Sequence, residues 1–210
     1  MARYKRRRRW NLNFILAVIA LALLLANVAV LLRRGGPSLP GEGVALPEDV
    51  TVDYIVKNEY SRPGTPLEKI EGVVIHYVGN PGTSAKANRS YFNTLALTHE
   101  AYASSHFIVG LEGEVIACVP LTEIAYASNT RNADTVSIEV CHADETGQYS
   151  PVTYERVVEL TAWLCETFGL DPGEDVIRHY DVTGKRCPKY YVDYPEAWEG
   201  LKADVAAAMG

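Results

Sequence analysis

No Asp or Glu occurs before residue 35 of this 210-residue chain, although eight of its 20 Lys and Arg lie there. The rest of the chain is short of positive charge instead. It carries 26 acids against 12 bases, a formal charge of 12 − 26 = −14. That balance excludes the electrostatic footprint of a nucleic-acid-binding domain. The absence of any internal repeat excludes a solenoid or propeller, and no low-complexity tract is present. Cysteine is sparse. The four residues Cys118, Cys141, Cys165 and Cys187 form no disulfide framework by their spacing. Cys118, Cys141 and Cys165 lie in apolar stretches and read as small buried hydrophobes.

One long apolar run is present. Residues 12–32 hold 21 positions whose only strongly polar members are Asn13 and Asn27. As a helix this run covers roughly 30 Å, about one hydrocarbon core. Arg3, Lys5, Arg6, Arg7, Arg8 and Arg9 precede it, and Arg33 and Arg34 follow it. That bias places the N-terminus in the cytoplasm and the rest outside, with Trp10 at the interface. The basic arm also suits contact with anionic lipid. A cleaved signal peptide is the competing reading, but its apolar core is normally about 7–15 residues. Here Ala26 and Ala29 still lie inside the apolar run. The expected organisation is a cytoplasmic arm over 1–11 and a single-pass anchor over 12–32. A Gly- and Pro-punctuated linker over 33–50 and an extracytoplasmic domain over 51–210 follow.

Within that domain, strand and helix patterns alternate. Val73–Val78, Phe107–Val109, Glu114–Val119, Thr135–Cys141 and Val176–Arg178 are apolar or β-branched strand candidates. Leu111-Glu112-Gly113 reads as a hairpin turn. Ser84 is the expected N-cap of a helix to about Leu97. Thr153 is expected to cap an amphipathic helix to Phe168, with Gly169 as its stop. A last helix is expected from about Tyr194 to Met209. This order predicts an α/β fold, a mixed central sheet flanked by helices.

The segment from Arg178 to Pro188 carries the sharpest chemical signal. A His closes a strand, a turn containing Gly184 follows, and Cys187 returns eight residues later. Imidazole nitrogen and thiolate sulfur are zinc ligands, and His76 at another strand end can supply a third. Three protein ligands leave one position open, the arrangement of a catalytic zinc. Taken alone, a His and a Cys at this spacing have a structural reading as well.

The chain resembles the zinc-dependent N-acetylmuramoyl-L-alanine amidases, a superfamily that includes phage lysozyme-type enzymes and animal peptidoglycan recognition proteins. Five blocks between about residues 70 and 190 carry the likeness. They are Val74-Ile75-His76-Tyr77, the helix from Ala87 to Asn93, Ser104 to Val109, Asn132 to Glu139, and His179 to Pro188. The resemblance implies hydrolysis of the amide between N-acetylmuramic acid and L-alanine in peptidoglycan. It implies His76, His179 and Cys187 as ligands of a Zn2+ cofactor and Glu139 as the catalytic carboxylate. It also implies a role in hydrolysis for Lys185, where an ammonium could stabilise an oxyanion. A salt bridge for Glu139 and a solvated loop position for Lys185 are the alternative readings.

There are departures from the family's pattern. Ser105 stands where the phage enzymes have Tyr. Ala125-Tyr126-Ala127-Ser128 lacks a His that many relatives carry, and Ser137 replaces a Gly. His106, Tyr126 and Asn132 are the candidate substrate-binding residues, and a satisfied core histidine is the other reading of His106. His99 and His142 read as solvated. Peptidoglycan is the expected partner, with the membrane through the N-terminal anchor, no nucleic acid, and a monomeric state. The competing functions are a muropeptide-binding module that does not cut, and an acyl-enzyme using Cys187 as nucleophile.

Overall fold

The computed structural model describes residues 14–23 and 38–210. Residues 14–23 form a helix, α1, with every residue exposed. Among the described residues no helix is long and apolar enough to cross a membrane. The expected span over 12–32 and its basic flanks lie largely outside the described residues.

Leu39–Gly210 is a separate compact unit. Its strands are β1 (Val50–Val52), β2 (Val73–Tyr77), β3 (Phe107–Val109), β4 (Val115–Ala117), β5 (Val136–Val140) and β6 (Val176–Arg178). They form one sheet in the order β1-β4-β3-β5-β2-β6. Only β3 and β4 pair antiparallel, so the sheet is mixed, as predicted. Gly110 N–H donates to the Glu114 carbonyl (2.7 Å) and Gly113 takes φ 80°, which closes the expected hairpin.

The helices are α2 (Ala85–Thr98), α3 (Pro151–Phe168), α4 (Pro172–Asp175), α5 (His179–Thr183), α6 (Lys189–Asp193) and α7 (Pro195–Ala208). Ser84 caps α2 through the Ala87 N–H, as expected. The cap of α3 is Ser150 rather than Thr153. Thr153 sits one turn inside and donates its hydroxyl to the Gly110 carbonyl (3.0 Å), tying α3 to the hairpin. Gly169 ends α3 at φ 67°, a conformation that favours glycine.

Strand alternation sorts the core into two layers. Val73, Ile75, Phe107, Val109, Ile138 and Val140 join one cluster with residues of α3 and α7. Ile108, Ile116, Cys118 and Cys141 join another with Ala85, Phe92 and Leu95 of α2. His76 lies next to Ile75, and Glu139 lies between Ile138 and Val140. Both therefore face the α2 side of the sheet. The second half of the expected linker packs on the domain. Val44 and Leu46 lie against the first cluster, Asp49 pairs with Arg156 (2.5 Å), and β1 begins at Val50.

Candidate metal centre and active site

Three parallel strands, β5, β2 and β6, lie side by side and point the same way. Ligand sites in such sheets form at the carboxyl ends of the strands. His76 and Glu139 are register partners on β2 and β5. His179 follows the last residue of β6 and opens α5. That helix occupies the expected turn because Asp181 reaches back to its start. The Asp181 carboxylate accepts from the Arg178 N–H (2.8 Å) and the Arg178 guanidinium (2.7 Å). Gly184 ends it at φ 75°. The chain then doubles back, and the Tyr180 N–H donates to the Cys187 carbonyl (2.8 Å). The eight-residue return thereby sets Cys187 beside His179.

One donor atom from each of His76, His179 and Cys187 lies within 4.8 Å of the others, and all three residues are buried. The Cys187 sulfur is 3.9 Å from His76 Nδ1. The two imidazole centroids are 4.6 Å apart. Burial holds both imidazoles below the usual histidine range, helped at His76 by His179 and at both by the Lys185 ammonium. They are neutral, the form that binds metal. Burial pushes the Cys187 thiol up to about 12, and the neighbouring Glu139 carboxylate adds to this. Two neutral imidazoles and one sulfur crowded together fit zinc.

Glu139 lines the same cavity, which has a volume of about 720 Å³. Burial raises its carboxyl to about 8, against the opposing pull of Lys185. Its Oε2 is enclosed and has no hydrogen-bond partner, so no salt bridge absorbs it. Lys185 is exposed at the cavity wall. The arrangement can hold a cation, hold a proton on a carboxylate, and present an ammonium to the same space.

Tyr126 and Asn132 line the cavity too. His106 does not, and its surroundings fit the other of its two readings, a satisfied core histidine. It is 1% exposed, and both ring nitrogens are engaged inside the domain. Nδ1 meets the Ser137 hydroxyl (3.1 Å) and Nε2 meets the Glu123 carbonyl (2.9 Å). His142 is also buried rather than solvated, with its ring stacked on Tyr77 (5.0 Å). His99 is exposed and stacks on Tyr60 (4.2 Å). Cys118, Cys141 and Cys165 are buried, as expected, and none is paired in a disulfide. Sequence reasoning missed Tyr149, whose phenol donates to the His76 carbonyl (3.1 Å), and Ser128 and Asn129, which touch the two imidazoles. Nothing in their spacing marks them, because a loop brings them to the site from another part of the chain.

The sequence profile of one family, described as N-acetylmuramoyl-L-alanine amidase, matches residues 66–190. The chain belongs to this amidase family. Among curated amidases, N-acetylmuramoyl-L-alanine amidase BlyA of Bacillus subtilis (strain 168) is 34% identical over 179 residues. The match covers 76% of this chain and 47% of BlyA. The chain spans about half the length of the curated relatives it matches. The catalytic domain of XlyA superposes with a TM-score of 0.63 at 22% identity, covering 74% of this chain and 98% of that one. PlyL gives 0.64 at 20% identity, covering 74% and 96%. These two likenesses concern the fold, and they agree with the mixed sheet described above.

Proposed function

We propose that the domain is a zinc amidase that hydrolyses the bond between N-acetylmuramic acid and L-alanine in peptidoglycan. One observation carries this reading. The donors of His76, His179 and Cys187 converge within 4.8 Å in a cavity that also holds an unpartnered Glu139 oxygen. Family membership supports the bond class.

His76, His179 and Cys187 would hold the metal, and its contribution when bound is Lewis-acid activation of water and of the scissile carbonyl. Glu139 takes a proton from the attacking water and returns it to the leaving amine. Its raised affinity for a proton suits both directions of that transfer. Lys185 places its ammonium where negative charge develops on the carbonyl oxygen. Tyr126, on the cavity wall, is positioned to touch the substrate.

The test is release of stem peptides from purified sacculi by residues 39–210. The expected result is release that stops with chelator and returns with zinc. Binding of wall fragments with zinc in place and no release would replace the enzyme by a recognition module.

We also propose that residues 12–32 anchor the chain as a single-pass segment, with the N-terminus cytoplasmic and a monomeric domain outside. The 21-residue apolar run and the charge bias support this. Protease added to intact cells should digest the domain while the membrane retains the chain's N-terminal part. Recovery only as a soluble form trimmed near residue 30 would assign a signal peptide instead.

A further inference from the structure

A loop distant in sequence from His76, His179 and Cys187 touches both imidazoles of the centre. It contains Ser128 and the short 3-10 turn Asn129–Arg131. His76 Nε2 lies 3.1 Å from the Ser128 hydroxyl. His179 Nε2 lies 3.0 Å from Asn129 Oδ1. Two adjacent residues thus hold the same ring position of two histidines that are 103 positions apart in the chain (179 − 76).

The chemistry of the Asn129 contact sets where the His179 proton sits. A carboxamide oxygen only accepts, so His179 carries its proton on Nε2. Ser128 is 1% exposed and can accept the corresponding Nε2 proton of His76. In a neutral imidazole one ring nitrogen donates and the other keeps its lone pair. The His179 lone pair then falls on Nδ1, and with Ser128 as acceptor so does that of His76, whose Nδ1 faces the Cys187 sulfur at 3.9 Å.

The loop is itself held from several sides. Asn132 Oδ1 accepts from the Ser128 N–H (2.6 Å) and the Ala127 N–H (3.1 Å). Arg131 N–H donates to the Ser128 carbonyl (2.9 Å), and the Arg131 carbonyl accepts from the Thr135 hydroxyl (2.6 Å) at the start of β5. Asn129 takes φ 52°, a left-handed conformation that Asn tolerates better than most residues. Asn132, expected from the sequence to bind substrate, spends its acceptor on bracing this loop.

We propose that Ser128 and Asn129 are positioning residues that lock His76 and His179 in the tautomer whose Nδ1 lone pairs converge with Cys187, and that Asn132 braces the loop that carries them. This rests on the metal reading proposed above. Partners of this kind fix ring orientation and raise ligand basicity, and their loss typically costs about 10–100-fold in metal affinity.

The test uses Ser128→Ala, Asn129→Gly and Asn129→Asp in the full chain. Glycine keeps the left-handed backbone and removes the acceptor, whereas aspartate keeps the acceptor. Zinc affinity is read by competition with a chromophoric chelator, and the ring tautomers by nitrogen NMR of the metal-free protein. Ser128→Ala and Asn129→Gly should each weaken zinc binding by about 10–100-fold. Asn129→Asp should stay near wild type. The wild-type rings should show Nε2-protonated imidazoles, and the matching ring should lose that preference in each weakened variant. Wild-type affinity in both Ser128→Ala and Asn129→Gly would overturn the proposal. So would an equal loss in Asn129→Gly and Asn129→Asp, because the retained acceptor would then count for nothing. A wild-type chain that binds no zinc would overturn the metal reading itself, an outcome separate from unchanged variants beside a zinc-binding wild type.

Discussion

Two of the buried histidines, His106 and His76, differ in what surrounds the ring. His106, ahead of β3, and His76, on β2, are each 1% exposed. At His106 the Ser137 hydroxyl and the Glu123 carbonyl occupy both nitrogens. At His76 one nitrogen meets Ser128 and the other faces the sulfur of Cys187 and a second imidazole. Burial alone therefore does not mark a functional histidine. What sets His76 apart is the company of its second nitrogen, a sulfur and another imidazole gathered as metal donors.

The strongest way to break this contrast is at Cys187. Cys187→Ala should reduce zinc content, measured by metal analysis of chelator-free protein, from about one per chain to background. A zinc-replete variant would mean that His76 and His179 do not converge on a metal with this sulfur. Glu139→Gln comes next. It should keep zinc and lose sacculus hydrolysis by about 10²–10⁴-fold, the range of general acid–base assistance. Wild-type rates in that variant would make Glu139 structural, in spite of its unpartnered oxygen. Lys185→Ala should cost less, about 10²-fold in kcat, if the ammonium serves only the developing oxyanion. An effect confined to KM would move Lys185 to substrate binding.

The smallest effect sharpens the other side of the comparison. Burial lowers the His106 pKa from 6.5 to about 4. Between those values the unfolded chain binds the proton and the folded chain does not. Stability contributed by the neutral ring is thus present above pH 6.5 and lost as pH falls toward 4, by up to about 3 kcal/mol. The stability gap between wild type and His106→Gln, from urea unfolding, should shrink by about that amount between pH 7 and pH 4. Parallel pH profiles would mean that His106 titrates normally.

Much of the fold was legible because its signals are local. Val73, Val74 and Ile75 announce β2, Ser84 caps α2, and Gly169 stops α3. The His179 to Cys187 return was legible as well, since eight residues suffice to close it. What was not legible depends on distant partners. β1 is three residues long and is recruited by parallel pairing with β4, so the Pro and Gly around it read as linker. Helix α5 depends on Asp181 closing on Arg178. His106 carries two readings in the sequence, a substrate contact and a satisfied core ring, because its strand lies near the site. Its ring is taken up by Ser137, the departure from the family's glycine. Ser128 and Asn129 carry no signal at all until the loop from 127 to 132 is seen against two strand ends.

The three cysteines outside the site bear on how such a chain would survive beyond the cytoplasm. Disulfide exchange and oxidation proceed through the thiolate, not the thiol. Burial raises Cys141 and Cys165 to about 12 and drives Cys118 higher still. At neutral pH only about one such sulfur in 10⁵ would be ionised, and each is buried. Folding itself passivates these sulfurs. For a chain exported as proposed, the interval exposed to mispairing would be the time between emergence from the membrane and collapse of the two apolar layers.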